Sequence, residues 1–205
     1  APPTTTTPPR MHRNTARFLA MGAVTLAAAT LDAQGTITGR TPAATRRTVV
    51  ATHATAAIRV DGNLDEDVWR LAPSAAGFTQ SEPREGQPAS EQTEVRIAFD
   101  DQFLYIGARM RDSDPSHEIV NDIRKHFRED DQDDFEVIID TFRDRRNGYV
   151  FIVNPEGGRV DRQIANEGRD INSSWDAVWD VKTQRTPDGW TAEFRIPFRT
   201  LRFDP

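Results

Sequence analysis

Apolar and polar side chains alternate in short segments along most of the chain, and segment 189–198 shows the pattern most clearly. Its apolar residues share one side: Trp190, Ala192, Phe194, Ile196 and Phe198. Its polar residues share the other side: Thr191, Glu193 and Arg195. A period of two predicts a strand with one face in a core and the other in water. Pro197 cannot donate to a sheet ladder, so it marks the end of that strand or an edge.

Further segments of the same kind are separated by turns rich in Gly, Pro, Asp and Asn. They cover residues 57–60, 94–99, 103–111, 135–140, 149–153, 159–164 and 176–182. Segment 149–153 is apolar on both faces, which predicts a central strand. Leu64, Val68 and Leu71 have helical spacing after an acidic first turn, which predicts one short helix over 64–72. Many strands with little helix predict an all-β fold, an antiparallel β-sandwich, and a closed barrel is the alternative.

The first 56 residues lack this alternation and resemble a targeting segment in composition. Arg13 and Arg17 precede an apolar run at 18–29, and Ala33 offers a cleavage point. A transmembrane helix is the alternative, but the run is shorter than the ~20 apolar residues that a span needs. We expect the mature domain to be exported, to the periplasm, the outer membrane or the cell exterior. The predicted organisation is a leader and signal peptide at 1–33, a linker at 34–56 and one domain at 57–205.

Composition narrows the range of functions. The chain has 205 residues, a formal net charge of −6 and no cysteine. The acidic balance, without a basic stretch, argues against nucleic acid as a partner. Without cysteine the domain has neither a disulfide framework nor a thiolate metal site. The charged stretch 116–133 and the polar stretch 165–174 show no apolar period and predict surface loops.

Four sequence motifs occur in order along the predicted domain. They are IRVDGNLDEDVW at 58–69, FLYIGARMRD at 103–112, DDFEVIID at 133–140 and GWTAEFRIPF at 189–198. In order and spacing they resemble the family 9 carbohydrate-binding modules and their broader relatives, over about residues 57–203. The Arg-Ile-Pro-Phe ending is similar to a subgroup of bacterial exported proteins. In that subgroup the domain precedes a C-terminal region thought to form an outer-membrane β-barrel.

The resemblance implies a β-sandwich that binds oligosaccharides or polysaccharides, with calcium in some members. The characterised modules hold a sugar end between two tryptophans, and charged and amide side chains bond its hydroxyls. The resemblance also implies an outer-membrane barrel region beyond Pro205 as a partner. The alternative function is a structural or interaction domain of an outer-membrane-associated protein, without sugar affinity.

A sugar site needs exposed aromatic planes beside polar side chains, because sugars present apolar C–H faces ringed by hydroxyls. Trp69 and Trp190 fall on apolar faces and are interpreted as core residues. Trp175 follows the polar stretch and is the best candidate for an exposed platform. Trp179 is a second candidate, although it shares a face with apolar residues, which favours the core.

Polar partners for a sugar are also present. Asn172 lies three residues before Trp175 and is a natural partner for a hydroxyl. Arg109 and Arg111 project from the strand face opposite to Met110. They are interpreted either as part of a solvated sheet face or as a bidentate sugar contact, since the family has an arginine in this strand region.

Clustered carboxylates are the candidate metal ligands. Asp112 and Asp114 form one cluster, and Asp133 and Asp134 belong to another. Carboxylate oxygens are the hard ligands that calcium prefers, so these four residues are the candidate calcium site, and solvated charge runs are the alternative. Segment 61–72 is not a calcium loop, because it lacks the glycine at the sixth position and the glutamate at the twelfth.

Catalytic motifs are weak in this sequence. Segment 117–121 begins like the zinc-protease signature but ends in Asn121, so the second imidazole is absent. A hydrolase would need two carboxylates converging in a cleft, and no pair is singled out. The sequence therefore predicts a binding module rather than an enzyme, alone or as the accessory domain of a larger carbohydrate-active protein.

Overall fold

A computed structural model describes residues 48–129 and 132–202, together with the backbone of strand Thr15–Phe18. The strands are β1 (Thr15–Phe18), β2 (Thr52–His53), β3 (Thr93–Phe99), β4 (Phe103–Arg111), β5 (Asp134–Ile139), β6 (Gly148–Val153), β7 (Arg159–Ala165), β8 (Asp170–Asn172), β9 (Asp180–Thr186) and β10 (Gly189–Pro197). The helical elements are α1 (Asp67–Leu71) and two 3₁₀ turns, Pro115–His117 and Phe198–Thr200.

These strands form two sheets, and the predicted β-sandwich is confirmed. Sheet A has the order β1-β5-β6-β7-β8 and sheet B the order β2-β3-β4-β10-β9. Neighbouring strands are antiparallel, except that β1 runs parallel to β5 and β2 runs parallel to β3. Strand β1 lies in the predicted signal peptide, so cleavage after Ala33 would make β5 an edge of sheet A.

The strands with the strongest apolar patterns lie at or beside the centre of each sheet. Every residue of β6 is buried, as expected for a segment that is apolar on both faces. The predicted strands at 94–99 and 103–111 are confirmed as β3 and β4, which form a hairpin with Ile97 opposite Ile106. Strand β10 lies between β4 and β9, and Pro197 is its last residue, as its missing N–H requires.

The main core lies between the two sheets. The rings of Phe135 on β5 and Phe194 on β10 are fully buried and meet edge to face, with centroids 5.9 Å apart. Met110 and Ala108 of β4 join the same cluster. This core burial supplies the main driving force for joining the sheets, at about 25 cal/mol per Å² of apolar surface.

The outer face of sheet B is also covered, by the segment that carries α1. Trp69 is 2% exposed and packs with Tyr105 of β4, which confirms its interpretation as a core residue. The prediction that Leu71 faces the core is wrong, since its side chain is 75% exposed. The helix begins only at Asp67, and its short turn directs Val68 and Trp69 to the sheet instead.

Glu193 corrects the prediction of a solvent-facing side on β10. Its side chain is fully buried under the segment before α1. The carboxylate accepts the backbone N–H groups of Asp61 (2.9 Å) and Gly62 (3.1 Å) and the indole Nε1–H of Trp69 (3.1 Å). A face that is polar in sequence is therefore buried here, because a single carboxylate satisfies three donors.

The outer face of sheet A carries a smaller cluster. Phe127 is 3% exposed and packs on Val150, Ile152 and Val160. The predicted loop 116–133 contains only the 3₁₀ turn as regular structure among its described residues, yet Phe127 anchors it to the sheet.

Three local predictions of strand positions are wrong. Residues 57–60 form no strand, whereas β2, in the predicted linker, pairs with β3 through Thr52 and His53. Strand β9 begins at Asp180 rather than at residue 176. Strand β8 lies inside the predicted polar loop 165–174 and pairs with β7.

Among the residues that the structure describes, no helix combines the length and hydrophobicity that a membrane crossing requires.

Candidate functional site

Trp175 lies at the rim of the sandwich, between β8 and β9. Its ring centroid is 5.0 Å from that of Tyr149 and 6.0 Å from that of Phe151, both on β6. The residue is half-buried, with these contacts on the side that joins the core. Trp175 is therefore only partly accessible and is supported by the core, whereas the sequence predicted an exposed platform.

A buried carboxylate holds the segment that follows Trp175. Asp161 on β7 is fully buried and accepts the backbone N–H of Ala177 at 2.6 Å and the Nε1–H of Trp179 at 3.3 Å. The Nζ of Lys125 lies 3.4 Å from the same carboxylate. These contacts fix the chain at residues 177–179, and thereby limit the motion of the indole beside it.

Trp179 is a core residue, so its selection as a sugar contact is wrong. Its side chain is 3% exposed and its ring stacks on Phe194, with centroids 5.7 Å apart. The guanidinium of Arg159 lies over the same ring, 5.6 Å from its centroid. Because Trp179 stands two residues before Val181 on one strand face, alternation favours the core for both of them.

Two amide side chains lie on the same face of sheet A as Tyr149, the residue on which Trp175 packs. Asn172 is exposed, and its Nδ2 donates to Oε1 of Gln163 at 3.4 Å. Gln163 is the register partner of Tyr149, so it points to the same face of sheet A as the ring under Trp175. The sequence pattern points to Asn172 but not to Gln163, whose signal is its place two residues after Asp161 on one strand face.

A charged pair borders the amides. Lys125 bonds to the carboxylate of Asp176, the residue after Trp175. This hydrogen bond and the charge of Lys125 lower the pKa of Asp176. We call the group formed by Gln163, Asn172, Trp175 and the pair Lys125–Asp176 the Trp175 site.

Arg109 and Arg111 do not belong to the Trp175 site. Because Ala108 and Met110 point into the core, the two arginines point to the outer face of sheet B, away from sheet A. Arg111 pairs with Asp188, whose pKa is lowered by the Thr186 hydroxyl and by this guanidinium. The predicted site residues therefore fall on two surfaces.

Within the described residues, the four candidate calcium ligands are not gathered into one cluster. Asp112 accepts the N–H of Asp114 at 2.8 Å, and Asp133 accepts the N–H of Ile119 at 2.8 Å. Asp134 is buried in β5. Across residues 48–129 and 132–202, no group of three His, Cys, Asp or Glu side chains is arranged to hold a metal ion. Calcium binding stays a prediction from the sequence.

The fold and these motifs lead to a family. The model of the carbohydrate family 9 binding domain-like family matches residues 60–205. The chain belongs to this family. Family 9 domains are non-catalytic carbohydrate-binding modules, in agreement with the prediction that the chain is not an enzyme. No curated protein matches the chain significantly.

Two solved structures of family 9 modules from Caldicellulosiruptor kristjanssonii are similar to the chain. One, in complex with cellotriose, has a TM-score of 0.51 and 20% identity over 72% of this chain and 66% of that chain. The other, in complex with glucose, has a TM-score of 0.51 and 18% identity over 76% of this chain and 69% of that chain. At this identity the likeness shows the shared β-sandwich fold, and the chain spans about two thirds of each neighbour.

Proposed function

We propose that the domain binds an oligosaccharide or polysaccharide at the Trp175 site, without catalysing a reaction on it. The observation that carries the proposal is a partly buried indole that packs on Tyr149, with two amide side chains on the same sheet face as that tyrosine. Family membership supports it, as do the two similar modules, which were solved with cellotriose and with glucose.

The chemistry of the site suits a pyranose. The accessible part of the indole offers an apolar surface for the C–H face of a sugar ring. Gln163 and Asn172 offer amide donors and acceptors at its edge, and the Lys125–Asp176 pair adds a charged donor and acceptor. Since Tyr149 and Asp161 hold the segment in place, little side-chain entropy is lost on binding.

We also propose that the domain is exported and works beside a C-terminal outer-membrane region. The support for export is the run of Arg13, Arg17 and the apolar residues 18–29. Sizing of the mature protein by mass spectrometry after expression in a bacterial host tests the cleavage expected after Ala33. A full-length cytoplasmic product would contradict it.

Titration calorimetry of the wild type and of Trp175→Ala with glucose, cellotriose and a panel of oligosaccharides tests the binding proposal. We expect the variant to bind at least about tenfold more weakly, because stacking contributes about 1.4 kcal/mol. Asn172→Ala should weaken binding by a smaller factor without disturbing the core, since Asn172 is exposed.

Leu71→Ala is the matched control, because Leu71 is 75% exposed and belongs to α1, which covers the outer face of the other sheet. Its affinity should equal that of the wild type, and circular dichroism should show all variants folded. No heat with any sugar would reject the proposal and favour the interaction-domain alternative. Equal affinity of the wild type and a folded Trp175→Ala would reject the site.

A further inference from the structure

A cleft lies where β10 ends, beside the turn that joins β3 to β4. It has a volume of about 400 Å³, and we call it the Phe198 cleft; it is lined by Asp101, Gln102, Phe103, Pro197, Phe198 and Arg199. Both phenylalanines are partly exposed, so the cleft combines aromatic side chains with polar ones. This is the combination that a sugar site requires.

The polar side chains of the Phe198 cleft are available to a ligand. Asp101, Gln102 and Arg199 are exposed, and their side chains form no hydrogen bond or ion pair with any residue that the structure describes. A carboxylate, an amide and a guanidinium together provide donors and acceptors for the hydroxyls of a sugar. None of the three has to give up an internal bond when it contacts a ligand.

The aromatic wall of the cleft is held in place by sheet B. The guanidinium of Arg195 lies over the ring of Phe103, 5.2 Å from its centroid, and its Nε donates to Oδ2 of Asp180 at 3.1 Å. The backbone N–H of Phe198 donates to the carbonyl oxygen of Gln102 at 2.9 Å. Because these contacts exist before a ligand arrives, little conformational entropy is lost on binding.

The Phe198 cleft lies at the same end of the sandwich as the Trp175 site. The Thr200 hydroxyl, in the 3₁₀ turn that begins at Phe198, donates to the carbonyl oxygen of Val178 at 2.8 Å. Val178 is the third residue after Trp175. At no more than ~3.6 Å per residue, this path places Trp175 and Phe198 within about 25 Å of each other. An oligosaccharide of several units is long enough to reach both.

The segment that connects the two is fixed and partly apolar. The side chain of Val178 is 65% exposed, although the residues on either side of it are buried. The backbone N–H of Arg202 donates to the hydroxyl oxygen of Tyr149 at 3.1 Å, and the ring of Tyr149 packs on Trp175. The turn and the indole are therefore joined by two hydrogen-bonded paths, and one of them carries an exposed apolar side chain.

We propose that the Phe198 cleft binds a further unit of the same oligosaccharide that the Trp175 site holds. The ring of Phe198 packs on the C–H face of that unit, and Gln102 and Arg199 bond its hydroxyls. The inference rests on the proposed sugar binding at the Trp175 site and extends that site to ligands of several units. Affinity then increases from glucose to longer ligands, because the second contact is intramolecular.

NMR titration of the ¹⁵N-labelled protein locates the contacts, with glucose, cellotriose and a longer cello-oligosaccharide as the ligands. With glucose we expect chemical-shift changes around Trp175. With the longer ligand, changes should also appear at the side-chain amide of Gln102 and at the backbone N–H of Arg199.

Titration calorimetry of variants measures what the cleft contributes. Phe198→Ala should weaken binding of the longer ligand about fivefold and leave the affinity for glucose unchanged. Gln102→Ala and Arg199→Ala should each weaken binding of the longer ligand about threefold. These two residues are exposed, so their variants decide the matter if Phe198→Ala does not fold.

The matched control is Arg84→Ala, at an exposed arginine in the loop before β3 that also has no ion pair among the described residues. Its affinity for every ligand should equal that of the wild type. Circular dichroism checks that each variant is folded.

The outcomes separate this inference from the proposed function. A loss of affinity for the longer ligand alone, in a folded variant of the cleft, supports the cleft. If the cleft variants bind every ligand like the wild type, or bind glucose and the longer ligand equally weakly, the cleft is rejected. The proposed function still stands in both cases if glucose shifts the signals around Trp175. If no ligand shifts those signals, both proposals are rejected.

Discussion

Single residues decide whether the strands of this sandwich can approach each other, and Gly189 is the most constrained. It adopts φ +132° where the turn after β9 enters β10, and an added Cβ would lie 2.1 Å from the carbonyl oxygen of Met110. A side chain there must displace backbone in the centre of sheet B. We expect Gly189→Ala to lower the free energy of unfolding by at least about 2 kcal/mol.

Gly168→Ala is the control for that prediction. Gly168 has φ +80° but no atom within 4 Å of an added Cβ, so it reports backbone strain without a clash. Its cost should be about 1 kcal/mol. Urea unfolding of both variants measures the difference, and equal costs would show that the contact with Met110 is relieved by a small shift.

The buried carboxylate of Glu193 allows a second test with a single-residue variant. Glu193→Gln keeps the shape but places an N–H₂ group among three N–H donors, so at least one donor loses its partner. We expect a loss of about 2–3 kcal/mol. Glu94→Gln, in a partly exposed pair with Arg96, should cost under about 1 kcal/mol. Comparable losses in urea unfolding would contradict this view of Glu193.

These residues also show the limit of alternation. The period of two placed Trp190, Phe194 and Ile196 in the core correctly, because one face of β10 meets the opposite sheet. It placed Glu193 in water, because nothing in a strand pattern shows that the distant segment at Asp61 folds over the other face.

At the scale of elements, covering segments matter as much as strands. Phe127 anchors an otherwise irregular segment on the outer face of sheet A. Phe127→Ala removes a buried ring and should cost about 3–5 kcal/mol. Phe142→Ala, at a residue that is 40% exposed, is the control and should cost far less. Thermal unfolding compares them, and a small loss at Phe127 would show that the segment is held by its polar bonds.

Some strands could be predicted from their own sequence pattern, and others form only through contacts with the rest of the fold. Strands β3, β4, β6 and β10 were predictable because each has five or more residues of clear pattern. Strand β2 has two residues and exists only through its pairing with β3, and β8 has three exposed residues. Neither carries an apolar period, so their positions depend on tertiary contacts that a local pattern does not contain.

At the scale of the whole molecule, the sequence predicted candidate sugar-binding residues, but it did not show which of them lie on the same surface. Asn172 and Trp175 are brought together, because only two residues lie between them and the N–H of Trp175 donates to the carbonyl oxygen of Asn172 at 3.5 Å. Arg109 and Arg111 lie on the outer face of the other sheet. Sites built from loops of both sheets require the topology, which periodicity alone leaves open.

The balance of ionisable groups predicts how stability changes with pH. Burial raises the pKa of Glu193 to about 7 and that of Glu118 to about 7 from the 4.5 of free glutamate. The folded protein then binds more protons than the unfolded chain between those values, so the free energy of unfolding falls as pH rises from about 4.5 to 7.

Hydrogen bonds lower the pKa of Asp122 to about 2 and also lower that of Asp144, so their stabilisation is lost as pH falls below about 3.8.

Stability should therefore be greatest at mildly acidic pH. This optimum lies between the more acidic range in which Asp122 and Asp144 lose their stabilisation and the range from about pH 4.5 to 7 in which Glu118 and Glu193 lower stability. Urea unfolding from pH 3 to pH 8 measures the curve. The double variant Glu118→Gln/Glu193→Gln should be less stable overall, yet its curve should be flatter between pH 4.5 and 7, because neither amide titrates. The exposed carboxylate variant Glu167→Gln should keep the slope of the wild type. An unchanged slope in the double variant would show that other groups set the decline, since the two buried glutamates are then ionised throughout this range.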